Sequence, residues 1–270
     1  MLRKFSIYSF LFVFSLMLTT CSWASIVASA DFDDVDSGSV TAGDLDSHTT
    51  GAAWWLNTGR SDASYQVAGD GGGLGDKALM LDDTSSAGSE QQFSSMNLDS
   101  SVDLTGLGDD TLDVSFQTTT TRSGGVRSLI YRLVDSSNNI GIDIEWWEGG
   151  ELVVNGVTKD VDDFGEAKIA TGSWNSTASE IQSASISIAS DSTFTMTWSG
   201  KNASANYNGT LDNTVTDIHK LRVYSGGTGT GNKGLYMDDI KFEVIPEPAS
   251  SILFALVGLA LLIRCRRQYC

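Results

Sequence analysis

Cysteine and histidine are scarce in this sequence, and their positions exclude one kind of fold and one kind of site. The 270-residue chain has three cysteines and two histidines. Cys21 lies in an apolar N-terminal segment, and Cys265 and Cys270 lie in the C-terminal tail, so residues 31–245 contain no cysteine. A disulfide framework is therefore excluded for that segment. The two histidines are isolated, and no cluster of histidine, cysteine and carboxylate has the spacing of zinc ligands.

Proline and helical periodicity are also missing from the interior of the chain. Both prolines stand near the C-terminus, at Pro246 and Pro248, and residues 31–245 show no convincing 3.6-residue periodicity. Segments rich in Val, Ile, Thr and aromatic residues instead recur between Gly, Ser, Asn and Asp clusters. Such short strands without helices predict an all-β fold, a two-sheet antiparallel β-sandwich or jelly roll. Roughly 215 residues suffice for one domain with its own core.

Period-2 alternation locates the strands of this predicted sandwich. The clearest hairpin runs from Ala184 to Ser199 with a turn at Ser190–Ser192, and a second joins Ile140–Trp147 to Leu152–Val157. The other predicted strands are Ala52–Leu56, Ala63–Ala68, Ala78–Asp82, Gln91–Leu98, Leu112–Thr120, Ser128–Asp135, Lys220–Tyr224 and Leu235–Val244.

Basic residues are few. Lys and Arg number 17 against 34 Asp and Glu, which gives a net charge of −17. Five of the basic residues and one of the acids lie in the chain ends, so residues 31–245 hold twelve basic and thirty-three acidic residues. Nucleic acid is excluded as a partner class, because phosphate binding requires a basic surface. An acidic surface suits solubility, divalent cations, or neutral and cationic polymers.

The N-terminus has the three parts of a secretory signal peptide. Arg3 and Lys4 precede an apolar stretch from Phe5 to Leu18, and Ala28-Ser29-Ala30 provides a small-x-small cleavage pattern before Asp31. The sequence therefore predicts a leader at residues 1–30. A lipoprotein signal that ends at Cys21 is the alternative, and Thr20 is a poor residue before a lipidated cysteine.

The C-terminus combines a short polar motif, an apolar run and a basic tail. Pro246-Glu247-Pro248 precedes the run Ala249–Ile263, and Arg264, Arg266 and Arg267 follow it. As a helix the run reaches roughly 22 Å, which is short of the ~30 Å hydrocarbon core of a bilayer. The arginines hold the C-terminus on the cytoplasmic side, which places the preceding chain on the opposite side. The sequence thus predicts a marginal transmembrane helix with an exported domain before it.

This ending resembles the PEP-CTERM sorting signal of Gram-negative bacteria, over residues 245–270. The resemblance implies recognition at Pro246-Glu247-Pro248 by an exosortase, a membrane transpeptidase-like enzyme, and a link to exopolysaccharide and biofilm matrix. The implied organisation is a signal peptide at 1–30, an exported β-sandwich at 31–245 and a sorting signal at 246–270. The domain would be anchored at the inner membrane, facing the periplasm, and then reach the cell surface or extracellular matrix.

The strand that ends in Trp146-Trp147 carries the most suggestive side chains. Alternation puts Ile140, Ile142, Ile144 and Trp146 on one face and Asp143, Glu145 and Trp147 on the other. An aromatic ring beside two carboxylates is a candidate carbohydrate platform. The strand also resembles the Glu-x-Asp-x-Glu strand of laminarinase-type glycoside hydrolases, but Gly141 stands where that family has its nucleophile, and retaining hydrolysis requires two carboxyl groups.

Trp54 and Trp55 form a second aromatic candidate. They are adjacent in a predicted strand, so one indole points into the core and the other points outward. The outward indole is a candidate for stacking on sugar, and packing against a loop is the alternative.

Acidic residues at both ends of the domain form a candidate calcium site. Asp33 and Asp34 lie near its start, and Asp238 lies near its finish. Alternation puts Asp238 on the face of Tyr236, Ile240, Phe242 and Val244, where an unpaired carboxylate is costly. Either calcium, held with backbone carbonyls, or backbone N–H groups at a sheet rim would satisfy it. The acidic start and finish loosely resemble those of concanavalin-A-like and carbohydrate-binding jelly rolls.

Two functional hypotheses follow from these patterns. The first is a structural or carbohydrate-binding protein of the cell surface or exopolysaccharide matrix, without a catalytic role. The second is a glycan-active enzyme of the glycoside hydrolase kind on the same sandwich, and it depends on Asp143, Glu145 and the tryptophans.

Overall fold

A computed structural model describes residues 24–58, 63–68, 74, 77–83, 91–120, 128–147, 152–155, 157–159, 181–200, 204–226 and 235–247. One compact unit spans Ile26–Val244, and a second comprises Met1–Ser25 with Ile245–Cys270. Residues 1–23 of the predicted leader and the predicted C-terminal helix at 249–263 lie outside the described residues. Over the described ranges, no helix has the length and apolar character that crossing a bilayer requires.

The described chain is almost entirely β-strand, as its composition predicts. The strands are β1 (Ser25–Ala30), β2 (Gly38–Ser39), β3 (Thr49–Thr50), β4 (Ala52–Leu56), β5 (Ala63–Ala68), β6 (Ala78–Asp83), β7 (Gln91–Asp103), β8 (Thr111–Thr120), β9 (Ser128–Val134), β10 (Ile140–Trp147), β11 (Leu152–Val154), β12 (Val157–Lys159), β13 (Gln182–Ala189), β14 (Thr193–Ser199), β15 (Ser204–Thr210), β16 (Asp217–Gly226) and β17 (Leu235–Ile245).

These strands form the two sheets of an antiparallel β-sandwich. The ten-stranded sheet has the order β15-β14-β13-β8-β17-β6-β5-β2, and β1 joins it through β17 and β3. The seven-stranded sheet has the order β12-β11-β10-β9-β16-β7-β4. Antiparallel pairing runs through both sheets. The prediction of an all-β, two-sheet antiparallel sandwich is confirmed.

The first predicted hairpin is confirmed, and the second is confirmed except that its return strand ends at Val154 and Val157 begins a separate strand, β12. β13 and β14 pair from Ser183↔Ser199 to Ile188↔Phe194, with Ser192 of the turn at a positive φ of 66°. β10 pairs with β11 through Trp146↔Leu152. Strict alternation of apolar and small polar residues fixed both registers, because a slip of one residue would move every apolar side chain to the solvent face.

Several elements were not expected from the sequence, namely a short helix and the strands β1, β2, β3, β12 and β15. A one-turn helix, α1 (Ala42–Asp46), begins at the N-cap Thr41, so the absence of helix was wrong there. Its capping box joins Thr41 N to Asp44 Oδ2 at 2.7 Å and Asp44 N to Thr41 Oγ1 at 3.3 Å, which satisfies backbone donors that a short helix otherwise leaves open. β15 was also missed, because its Ser, Asn and Gly residues weaken the strand pattern.

Aromatic rings from both sheets meet in the core. Phe116 and Trp198 of the ten-stranded sheet pack against Tyr131 and Trp146 of the seven-stranded sheet. Ring centroids lie 4.9 Å apart for Phe116 and Tyr131, and 6.0 Å apart for Trp198 with each of its two partners. The Tyr131 hydroxyl forms a 2.7 Å hydrogen bond with Thr118 Oγ1 of β8. The two sheets are thus joined by apolar contact and by a satisfied polar contact.

Two residues face the opposite way from the prediction, because the alternation of their strands is interrupted next to them. Ile140 was expected in the core, but the β9–β10 register shifts between Ile140 and Ile142, and Ile140 is 41% exposed. Asp238 was expected to share a face with Ile240 and Phe242. These two residues belong to the core with Leu235 and Met237, and the alternation from Leu235 to Met237 puts Asp238 on the other face, where it is also buried. The change of phase occurs at Asp239, whose φ is 51°, since a bulge inserts one residue into the alternation.

We predict that Trp146→Ala destabilises the domain by about 3 to 5 kcal/mol, because it removes a large side chain that is 2% exposed and leaves a cavity between the sheets. Trp55→Ala is the control, since this side chain is 43% exposed, and its expected cost is within about 0.5 kcal/mol. Equilibrium denaturation measures both. Equal losses for the two variants would contradict the assigned faces of the seven-stranded sheet.

Candidate functional site

The outer face of the seven-stranded sheet carries three of the residues that the sequence singles out, Trp55, Asp143 and Glu145. Along its strands, alternate side chains belong to the core and the side chains between them face away from it. We call this surface the seven-strand outer face. Its described members are Ala53, Trp55, Ser95, Asn97, Ile130, Arg132, Val134, Asp143, Glu145, Lys220, Arg222 and Tyr224.

One row of this face crosses five neighbouring strands. Trp55 of β4 pairs with Ser95 of β7, and Ser95 pairs with Arg222 of β16. Arg222 then lies opposite Arg132 of β9, which lies opposite Asp143 of β10. Because neighbouring strands are about 4.8 Å apart, the row is roughly 19 Å long. It places an indole ring at one end and charged groups at the other.

The two adjacent tryptophans of β4 face opposite ways, as alternation predicts. Trp54 is 5% exposed, packs 5.9 Å from the Phe32 ring and donates from Nε1 to Thr49 Oγ1 at 3.0 Å. It is a core residue with its polar atom satisfied. Trp55 presents its indole to solvent, so of the two it alone is available to a ligand.

Asp143 is engaged in an ion pair on this face. Arg132 Nε donates to Asp143 Oδ1 at 3.0 Å, and Arg132 Nη2 donates to Oδ2 at 3.1 Å. The Arg132 guanidinium carbon also lies 4.7 Å from the centre of the Tyr224 ring. A bidentate ion pair next to a cation–π contact holds all three side chains in place.

Lys220 and Arg222 share an acceptor at the edge of the face. Lys220 Nζ donates to Asn138 Oδ1 at 3.0 Å, and Arg222 Nη2 donates to the same oxygen. Asn138 lies in the β9–β10 turn at a φ of 72°. Burial lowers the pKa of Lys220, the positive charge of Arg222 lowers it further, and the Asp135 carboxylate partly offsets these effects.

The remaining predicted residues of β10 divide into three cases. Glu145 lies on the seven-strand outer face opposite Ile130. Trp147 pairs with Ser128 through its backbone, but its side chain lies outside the described part of the structure. Gly141 lies at the bulge, and a Cβ there would meet Val215 Cγ1 at 3.3 Å and Ile218 Cδ1 at 3.6 Å. Gly141 stands where laminarinase-type glycoside hydrolases have their nucleophile. A side chain at this position would therefore point toward the core of the sandwich.

Asp238 is buried among other carboxylates at the end of the ten-stranded sheet. It is 6% exposed, and its Oδ1 is buried without a hydrogen-bond partner. Burial raises the pKa of Asp238 to about 7, and the negative charges of Asp239, Asp31 and Asp33 contribute to the rise. A backbone hydrogen bond from Asp239 acts in the opposite direction. Asp34 is not among the groups that act on it.

The described residues include no group of three or more His, Cys, Asp or Glu side chains placed to hold a metal ion. Asp31 and Asp33 are instead linked to each other, since Asp33 N donates to Asp31 Oδ1 at 3.0 Å. A backbone N–H group, that of Asp239, thus satisfies Asp238 in part, and either a proton or a cation bound largely by backbone oxygens would satisfy its Oδ1.

Sequence reasoning missed the basic part of the site. Arg132, Lys220 and Arg222 are far apart in the chain, and pairing of β9 with β16 brings them together. The available signal was their position in two apolar strand segments of an acidic chain, where a basic side chain must face outward. Asn138 had no signal, because the turn that places it is recognisable only once the strands are paired.

No protein-family model matches the sequence, and no curated protein matches it. Solved structures resemble the fold at low identity. A carbohydrate esterase from Shiga toxin-encoding bacteriophage phi24B is 16% identical, covers 83% of this chain and 100% of its own, and has a TM-score of 0.48. Lectin II from Ulex europaeus is 15% identical, covers 79% and 99%, and has a TM-score of 0.40. An endo-β-1,4-glucuronan lyase from Trichoderma reesei is 12% identical, covers 82% and 94%, and has a TM-score of 0.48. Such values do not assign a function to this chain.

We predict that the stability of the domain falls as the pH rises from about 4 to about 7, through the titration of Asp238. The ordinary pKa of this carboxyl is 3.8, and in the folded protein it is raised to about 7. Between these values the folded state binds more protons than the unfolded state, so raising the pH favours unfolding. Asp238→Asn should remove this fall and be more stable than the parent above pH 7.5.

Melting temperatures measured from pH 4.5 to 8 test this prediction. Asp212→Asn is the control, because hydrogen bonds from Thr214 lower the pKa of Asp212 and place its titration below the window. This variant should retain the slope of the parent. An unchanged slope in Asp238→Asn would show that the carboxyl of Asp238 ionises normally.

Proposed function

We propose that this chain is an exported, exosortase-sorted protein whose sandwich binds carbohydrate of the cell surface or exopolysaccharide matrix through the seven-strand outer face. The observation that carries the binding proposal is the row from Trp55 to Asp143. It sets a solvent-facing indole in line with the charged groups of Arg222, Arg132 and Asp143 on one sheet, with the buried Ser95 between the indole and Arg222. An indole offers an apolar surface to the C–H face of a sugar, and the polar groups are suited to its hydroxyls.

Strands β13 and β14 of the opposite sheet offer no such combination on their outward positions. The outward positions of β13 and β14 are Ser183, Ser185, Ser187, Thr193, Thr195 and Thr197, and their alternate neighbours belong to the core. These short hydroxyl side chains can form hydrogen bonds but provide no aromatic ring. The seven-strand outer face is therefore the better carbohydrate surface, since stacking and hydrogen bonding act together there.

We propose a binding role rather than a catalytic one. Asp143 is paired with Arg132 in two hydrogen bonds, which engage both of its carboxylate oxygens. Gly141 supplies no carboxyl, and its missing side chain would point toward Val215. The pair of carboxyl groups that a glycoside hydrolase requires is thus incomplete on this strand. A panel assay for release of reducing ends from bound polymer distinguishes the hydrolase alternative.

We infer that the fold is a jelly-roll sandwich of the concanavalin-A-like type. We also infer the location that the sorting motif implies, which is first the periplasmic side of the inner membrane and then the cell surface or extracellular matrix. The pairing of β1 with β17 supports the fold type, because the first and last strands lie side by side. The motif supports the location, since Pro246 and Glu247 directly follow β17. Pro248, Arg264, Arg266 and Arg267 lie outside the described residues, and their role in sorting is part of the same proposal.

We predict that Glu247→Ala leaves an unprocessed, membrane-retained form, because it removes the acidic residue of the proposed recognition motif. Glu243→Ala is the matched control. It also removes an acidic residue, but its partner is Lys241 at 2.7 Å within β17 and it lies outside the motif. Cell fractionation and immunoblotting measure the outcome. Release of the Glu247→Ala protein at the parent's level would mean that the tail is an ordinary anchor.

We predict that Trp55→Ala weakens retention on the bound polysaccharide by roughly tenfold, since loss of a ring contact removes about 1 kcal/mol or more. Ile26→Ala is the control, because Ile26 is another exposed large apolar residue, 54% exposed, and belongs to β1 of the other sheet. Affinity electrophoresis on a polysaccharide panel measures both variants. Equal weakening by the two substitutions would point to nonspecific apolar adhesion.

We propose calcium as the divalent ion that would occupy the Asp238 cluster, held by Asp238 and Asp33 with backbone oxygens. A ligand of the folded state stabilises by about 2.7 kcal/mol at a hundredfold excess over Kd, which raises the melting temperature by several degrees. Magnesium at equal concentration is the control for charge screening. Stabilisation by calcium alone, lost in Asp238→Asn, is the expected result. Equal stabilisation by both ions in both proteins would leave screening as the explanation.

A further inference from the structure

We propose that Lys220, Arg222 and Asn138 form a subsite for an anionic group, the carboxylate or sulfate of an acidic polysaccharide. This inference rests on the proposed carbohydrate-binding function and assigns its ligand class. It starts from a local excess of positive charge in a domain segment with twelve basic and thirty-three acidic residues. Two of those basic residues lie two positions apart on β16 and share one acceptor.

The charge of this pair is not neutralised within the described part of the chain. Lys220 and Arg222 both donate to Asn138 Oδ1, an amide oxygen without net charge. The Asp135 carboxylate nearby accepts Asn139 N and Nδ2, each at 2.7 Å. On the next strand, Arg132 opposes Arg222 but is paired with Asp143. Among the described residues, neither Lys220 nor Arg222 forms an ion pair with a carboxylate, and Asp135 offsets the repulsion at Lys220 only in part.

The guanidinium group of Arg222 also has an unsatisfied donor. Arg222 Nε is buried and has no hydrogen-bond partner, a state that costs free energy unless an ion or water supplies the acceptor. Guanidinium groups bind carboxylates and sulfate-like anions through two parallel N–H donors. A bound anion would offset the repulsion between Lys220 and Arg222.

The position of the subsite suits a polymer that also contacts the aromatic residue. Arg222 lies two strands from Trp55 in the same cross-strand row, with Ser95 between them. Two strand spacings correspond to roughly 10 Å. A chain that lies across the strands would therefore stack one unit on Trp55 and place a charged substituent at Arg222.

The test measures binding of the processed protein, purified from expressing cells, to alginate, dextran sulfate and an uncharged β-glucan. We expect an acidic polymer to bind at least tenfold more tightly than the β-glucan, and its binding to weaken with salt. Alginate and dextran sulfate distinguish carboxylate from sulfate. Arg222→Gln should weaken binding of the acidic polymer about tenfold or more, because it removes a charged hydrogen bond.

Lys241→Gln is the matched control. It changes the net charge equally but lies on the ten-stranded sheet, where Lys241 pairs with Glu243. We expect less than a twofold effect on binding. Lys220→Gln provides a second subsite variant if Arg222→Gln does not fold. Equal effects of subsite and control substitutions would overturn the subsite. Preferential binding of the β-glucan through Trp55 would also overturn it while supporting the proposed function, and binding of no polymer would contradict both.

A different observation supports a second inference, which rests on the proposed export. We propose that the leader is cleaved after Ala24, so that the mature chain begins at Ser25 rather than Asp31. The predicted cleavage after Ala30 would remove β1. Within β1, Ala28 and Ala30 are 0% and 1% exposed and belong to the core cluster. β1 also pairs with β17 and with β3, through Ser29↔Thr50 and Ala30↔Thr49.

Two further features indicate that β1 is part of the mature domain, a glycine that packs against it and a cleavage pattern that precedes it. Gly51 has a φ of 68°, and a Cβ there would lie 2.0 Å from the Val27 carbonyl oxygen. Only glycine permits this approach of the backbone to β1. Ser22-Trp23-Ala24 provides a second small-x-small pattern, six residues after the apolar stretch ends at Leu18, and it would leave β1 complete.

The N-terminus of the exported protein, determined by sequencing and intact mass, tests this inference. Ser25 is the expected result. An N-terminus at Asp31, or at a lipidated Cys21, would overturn the cleavage proposal, whereas an intact Met1 on all of the protein would contradict export itself. Ala24→Gln should accumulate precursor, because a bulky residue replaces the small one at the cleavage site. Trp23→Gln is the control and should be processed normally. Normal processing of Ala24→Gln would count against cleavage there.

Discussion

The packing of the two sheets against each other determines which side chains are left for function. Trp146 and Tyr131 of the seven-stranded sheet are held against Trp198 of the ten-stranded sheet, with ring centroids 6.0 Å apart in both pairs. Because side chains alternate along a strand, a buried Trp146 forces Asp143 and Glu145 outward, and a buried Tyr131 forces Arg132 outward. The composition of the seven-strand outer face is therefore a consequence of the core.

Alternation alone predicted much of this arrangement. The β13–β14 hairpin was expected, and so was the opposite facing of Trp54 and Trp55, since period-2 patterns indicate alternate faces of a strand where no residue is inserted. The predicted facing is wrong where the period-2 alternation of a strand is interrupted. Ile140 and Asp238 both lie at bulges, and one inserted residue inverts the facing of everything on one side of it. Nothing in a single sequence distinguishes such an insertion from an unbroken strand.

The net charge of the chain did not predict the basic residues of the candidate site. A value of −17 describes the whole chain, whereas binding depends on which charges tertiary pairing brings together. Arg132 and Arg222 are ninety positions apart but directly opposite in neighbouring strands. Like charges at opposed positions are unfavourable by themselves, and the ion pair of Arg132 with Asp143 compensates only one of them. The site therefore depends on long-range pairing that composition does not encode.

The most direct test of the account is to map the ligand-binding surface by NMR on the isotope-labelled, processed protein. Titration with an acidic oligosaccharide should shift the backbone amides of Ser95, Asn97, Arg132 and Arg222 and the indole resonance of Trp55, all on the seven-strand outer face. The amides of the Ser and Thr residues of β13 and β14 should remain unchanged. Shifts confined to β13 and β14 would place binding on the opposite sheet and contradict the account.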